Sequence, residues 1–93
     1  MLKVNEYFDG KVKSIAFQAE SLPETVGVME AGDYEFSTAK KETMTVISGQ
    51  MQAWLPGQEG FQTFAKGEQF IVGANQKFKL KIEGQAAYLC RYE

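Results

Sequence analysis

The sequence has no histidine, one cysteine, two prolines and a single arginine, Arg91. Each scarcity excludes something. Without imidazole there is no Ser-His triad, no Cys-His pair and no histidine-ligated metal. A site built from carboxylates alone is the one metal option left open. With only Cys90, no intrachain disulfide forms, which fits a reducing, cytoplasmic setting. No apolar run is long enough to span a bilayer. Met1-Leu2-Lys3 leads straight into polar residues, so no secretory leader is expected. There is no basic block and the net charge is -2, which argues against nucleic acid as a partner. No segment sustains a helical period.

What is present is a globular composition. Hydrophobic residues make up 44% and aromatics 13% of 93 residues, a length that supports one domain and one core, taken as residues 1–93. The stretch Glu42-Thr43-Met44-Thr45-Val46-Ile47-Ser48-Gly49 is the most telling. Strand alternation puts Glu42, Met44 and Val46 on one face and Thr43, Thr45 and Ile47 on the other. A carboxylate opening an apolar face must be paired, solvated or used.

Other strands read in the same way. Lys11–Phe17 alternates partly. Val26–Met29 is short. Tyr34, Phe36 and Thr38 share a face. Gln50–Leu55 is extended up to Pro56-Gly57, and Phe70–Val72 is a short apolar strand. Phe78, Leu80 and Ile82 alternate with Lys77, Lys79, Lys81 and Glu83, which predicts one buried and one solvated face. Ala86–Tyr92 is the last strand, with Tyr88, Cys90 and Tyr92 opposite Arg91 in parity. Turns are expected at Asp9-Gly10, around Gly32, at Lys40-Lys41, Lys66-Gly67-Glu68, Gly73-Ala74-Asn75 and Gly84-Gln85. Asn5–Gly10 reads as a mixed polar and aromatic lead-in, and Gln18–Thr25, with Pro23, as a loop. Short strands with frequent turns predict an all-β fold, a barrel or jelly roll.

Two glycine-punctuated segments resemble the paired motifs of cupins. Glu42 is followed by six residues and Gly49, with Gly32 upstream. Gly67 is followed by five residues and Gly73, then Asn75 and Phe78. Gly73 stands where a proline is usual, and Phe78 where a metal-binding histidine would stand. The resemblance therefore implies a single cupin-type β-barrel with an emptied metal site and no cofactor. NEYFDGKVKSIAF, VGVMEAGDYEFSTA, ETMTVISG and YLCRY together resemble one family over nearly the whole chain, the small cupin-type pyrimidine/purine nucleoside phosphorylases. That resemblance implies a nucleoside and inorganic phosphate as substrates, a free base and ribose 1-phosphate as products, broad specificity, no metal and a homodimer.

The chemistry selects candidates. A carboxylate near ribose stabilises an oxocarbenium-like transition state or holds a hydroxyl, and Glu42 is the first choice. A guanidinium binds phosphate bidentately, which nominates Arg91. Tyr34, Phe36 and Phe78 are candidate walls for stacking on a base, or else core. Thr38, Thr45 and Ser48 offer hydroxyls to ribose or phosphate, with strand propensity as the other account of the threonines, and Tyr88 and Tyr92 are site hydroxyls or else a dimer surface. Cys90 reads as a small buried side chain, and Lys40-Lys41 as a solvated turn, with a phosphate contact as the second reading. The rival readings are a non-catalytic cupin that binds a sugar or nucleotide, and a solid-cored interaction module.

Overall fold

In a computed structural model, residues 2–93 are described, and Met1, the start of the no-leader reading, lies outside them. Ten strands and no helix make up the described chain. They are β1 (Lys3–Tyr7), β2 (Val12–Ala19), β3 (Leu22–Met29), β4 (Gly32–Ser37), β5 (Glu42–Ser48), β6 (Gln50–Trp54), β7 (Gln62–Ala65), β8 (Gln69–Val72), β9 (Lys77–Ile82) and β10 (Ala86–Tyr92). Six form one sheet in the order β1-β2-β3-β10-β5-β8, and four form a second in the order β4-β9-β6-β7. Every pairing is antiparallel. The all-β expectation holds. The two sheets share one core, although no closed barrel is formed by their hydrogen bonds.

Alternation decides what enters that core. Phe78, Leu80 and Ile82 are buried along β9, while Lys77 and Lys79 are exposed, as the pattern predicts. Met44 and Val46 are buried on β5, and Glu42 lies half-buried at the same face. Aromatic contacts tie the sheets together. Phe70 on β8 stands 4.8 Å from Phe64 on β7 and 6.3 Å from Phe78 on β9, centroid to centroid. At one end, the backbone N–H of Gly67 donates to Val46 O at 2.8 Å, and Val46 N–H donates to Glu68 O at 3.0 Å. At the other, Thr38 N–H donates to Gln76 O at 2.8 Å, which fastens the end of β4 to the β8–β9 turn.

Two expectations need correction. Lys3–Tyr7 is a strand rather than a lead-in; it pairs with β2 in the register Val4↔Ile15. Its polar residues face solvent at the sheet edge, so alternation is weak and the strand is hard to see. Gln18–Thr25 is not a loop. It is the tip of the β2–β3 hairpin, with Gln18 opposite Pro23, and Glu20 takes φ 38° at the turn. Pro23 stands one residue inside the strand start, where a missing N–H is tolerated.

The β1–β2 turn also matters for the site. Phe8 and Asp9 adopt φ of 54° and 57° before Gly10 at 83°. A left-handed phenylalanine is unfavourable. Contacts hold it there: the Phe8 ring meets Tyr34 and Phe36 edge-on at 5.0 and 5.4 Å. The turn thus folds over the end of the smaller sheet.

Candidate active site

Between the sheets lies a cavity of about 490 Å³. That is within the range of roughly 300–1,000 Å³ usual for small-molecule sites. Inward parity explains its walls. On the larger sheet, Ser14, Gly27 and Tyr88 stand side by side across β2, β3 and β10. In the next rows, Cys90 pairs with Met44, and Tyr92 pairs with Glu42. On the smaller sheet, Phe36 and Phe78 are cross-strand partners, stacked at 5.7 Å with 25° between their planes. Tyr7 and Lys40 complete the mouth.

Glu42 is the acidic side chain of this cavity. Burial raises its pKa, and a hydrogen bond donated by the Cys90 thiol to Oε1 at 3.5 Å acts the other way. The phenols and thiol around it, Tyr88, Cys90 and Tyr92, stay neutral at ordinary pH. Burial pushes Tyr88 up to about 12. Burial, reinforced by the Glu42 charge, pushes the Cys90 thiol up as well. Tyr92 is raised by burial against an opposing hydrogen bond with Thr25, whose Oγ1 lies 3.1 Å from the phenol oxygen. The result is a carboxyl group that accepts from one thiol, in a cavity whose walls also carry the Tyr88 and Tyr92 phenols and two stacked phenyl rings. Such a site supplies a negative or proton-donating group, hydrogen bonds for a polyol and an apolar wall for a flat ring.

Of the residues expected from sequence, Glu42, Phe36, Phe78 and Tyr88 line this cavity. Four do not. Arg91 lies on the opposite face of β10, exposed, with Nε 3.8 Å from Glu24 Oε2. Thr45 also faces outward, where its hydroxyl accepts a hydrogen bond from Gln69 Nε2 at 2.9 Å. Tyr34 is buried, and its hydroxyl donates to Glu30 O at 2.8 Å. Thr38 is buried too; its hydroxyl donates to Gly73 O at 2.6 Å and accepts from Gln76 N–H at 3.0 Å. These four serve packing, a turn or the outer surface. Tyr92, the other candidate hydroxyl, lines the cavity as well, whereas the wall residues Ser14 and Tyr7 carry no signal in the sequence that marks them. Among the described residues, no three His, Cys, Asp or Glu side chains gather closely enough to hold a metal ion.

A family model described as pyrimidine/purine nucleoside phosphorylase matches residues 2–92. The chain belongs to that family. A pyrimidine/purine nucleoside phosphorylase of Magnetococcus marinus is 64% identical over 92 residues, covering 99% of both chains. One from Marinobacter nauticus is 59% identical over the same length, again with 99% coverage of each. Among solved structures, a Vibrio parahaemolyticus protein of unknown function superposes with a TM-score of 0.96 at 39% identity, covering 100% of this chain and 99% of that one. The EutQ protein of Clostridium difficile shares the fold at a TM-score of 0.72 and 17% identity, over 87% of this chain and 67% of its own. The architecture of this phosphorylase family member is thus all-β, with two antiparallel sheets around one core, a fold shared with EutQ.

Proposed function

We propose that this chain catalyses the reaction for which its family is named, in the cavity that holds Glu42. A purine or pyrimidine nucleoside enters with inorganic phosphate. A phosphate oxygen forms a bond to C1′ of ribose as the C1′–N bond breaks. The bonding electron pair leaves with the base nitrogen, which takes up the proton that the hydrogen phosphate gives up, and the products are free base and ribose 1-phosphate. Positive charge builds on the ribose ring as the base departs, and Glu42 stabilises it or holds a ribose hydroxyl in this reading. Tyr88 and Tyr92 stay neutral and offer hydroxyl hydrogen bonds. Phe36 offers a ring face that accepts any base without reading its edge, which supports broad specificity. The observation that carries the reading is the half-buried Glu42 carboxyl opening into an aromatic-walled cavity in a chain of this family.

The same reading takes residues 1–93 as one unit whose two sheets act as a cupin-type container, working in the cytoplasm as a homodimer, without contact to nucleic acid or membrane. No helix among the described residues is long and apolar enough to cross a membrane. Support for pairing comes from the outer face of the larger sheet, where Val4, Ile15 and Val26 form one cross-strand row and remain 58%, 41% and 40% exposed. Sedimentation of the wild type and of Val26→Lys tests this; a monomeric wild type rejects the dimer.

The activity test is direct. Purified protein is incubated with uridine or adenosine and phosphate, and the products are separated by chromatography. Free base together with ribose 1-phosphate is expected. No base above a phosphate-free control, across several nucleosides, rejects the reading.

A further inference from the structure

Phosphorolysis places a demand on the cavity that Glu42 does not meet. A phosphate anion entering beside a carboxyl group needs a compensating positive charge. Among the described residues lining the cavity, one cation is present, Lys40. Ser37 lines the same wall, three residues earlier. Lys40 lies in the exposed bend that leads into β5, two residues ahead of Glu42, and both residues line the cavity. Neither ion pair among the described residues involves Lys40.

The rival cation is less suited. Arg91 lines a separate surface groove of about 220 Å³, together with Glu20 and Glu24. An anion there would meet two carboxylates, and one of them already pairs with the guanidinium. The groove also lies on the far side of the sheet from Glu42. Phosphate bound there has no path to C1′ of a ribose held at Glu42.

We propose that the Lys40 ammonium, with the Ser37 hydroxyl, forms the phosphate subsite of this cavity. Lysine acts here as a point charge with three donors on a flexible stem, placed at the mouth where phosphate enters and ribose 1-phosphate leaves. Glu42 then serves the ribose from one side while Lys40 holds the attacking anion. The assignment rests on the phosphorylase reading, and two measurements separate their failures.

The first is steady-state phosphorolysis of uridine by the wild type, Lys40→Gln, Lys40→Arg and Arg91→Gln. Lys40→Gln is expected to raise KM for phosphate about tenfold or more and to leave KM for uridine nearly unchanged. Lys40→Arg restores most of the phosphate affinity, and Arg91→Gln behaves as wild type. An unchanged phosphate KM in Lys40→Gln, or an equal rise in both KM values, overturns the subsite. The second is a calorimetric titration of the same proteins with inorganic phosphate, which needs no turnover. Wild type binds and Lys40→Gln loses binding if the subsite is right; equal binding by the two, or none by the wild type, overturns it. Phosphate binding that depends on Lys40 without release of base would reject the phosphorylase reading and leave the subsite standing.

Discussion

The Tyr88 ring occupies the space above Gly27. The two residues face each other across β3 and β10, and a Cβ built on Gly27 would stand 2.5 Å from both Cζ and the hydroxyl of Tyr88. The glycine is needed for room rather than for backbone freedom, since its φ lies outside the left-handed region. It lets a tyrosine lie over the sheet as part of the cavity wall.

Gly27→Ala is therefore expected to push the Tyr88 ring aside. Overpacking of this kind costs about 1–3 kcal/mol. Chemical denaturation should show that loss, and phosphorolysis should fall beyond what the lost stability explains. A variant with wild-type stability and turnover would show that Tyr88 relaxes freely.

Glu42→Gln removes charge at nearly constant shape. Turnover should drop by about 100-fold or more if the carboxyl acts on the reacting sugar. Stability moves the other way. Because the folded-state pKa of Glu42 is raised by burial, the native state holds its proton more tightly than the unfolded chain does. Its penalty is absent at pH below the unfolded carboxyl value, grows as pH rises through the raised value, and then levels off. Denaturation of wild type and variant across that range should show Glu42→Gln gaining relative stability with rising pH. A difference independent of pH would contradict the raised value.

Thr38 is structural in this geometry, against its nomination for substrate. Thr38→Val leaves Gly73 O and Gln76 N–H without their hydroxyl partner. A loss of about 1–3 kcal/mol is expected. For a protein of this size, Tm falls by roughly 4–8 °C per kcal/mol. Scanning calorimetry reads the shift, while KM for both substrates in the folded protein should stay near wild type.

Cys90 is 2% exposed and its thiol is pushed up, so little thiolate forms at neutral pH. Iodoacetamide should label it slowly in the folded state and quickly in denaturant, as followed by mass spectrometry. Fast labelling of the native protein would mean that the cavity opens to the thiol.

Period-2 alternation made much of the fold legible. Phe78-Leu80-Ile82 against Lys77-Lys79-Lys81 is unambiguous, and Glu42 beside Met44 and Val46 marked the one acid at an apolar face. Strands with weak alternation escaped notice. Lys3–Tyr7 lies at a sheet edge with both faces wet, and Leu22–Thr25 carries a proline and a buried Glu24 on its outward side. Site residues split along the same line. Parity within one strand grouped Tyr88, Cys90 and Tyr92. It left Arg91 undecided, because a lone arginine near a chain end carries no pattern of its own.

By itself the sequence determined the absence of imidazole chemistry, the all-β character, the glycine spacing that resembles cupins and the family. These are local or compositional properties, and each residue carries them wherever it ends up. Tertiary structure decided which residues meet. Ser14, Gly27 and Tyr88 come from three strands and become neighbours only through sheet register. Phe36 and Phe78 face Glu42 only because a second sheet packs on the first. Lys40 reaches the cavity wall because the bend between β4 and β5 passes its rim, and Arg91 is turned away because its place in β10 faces the other side of the sheet.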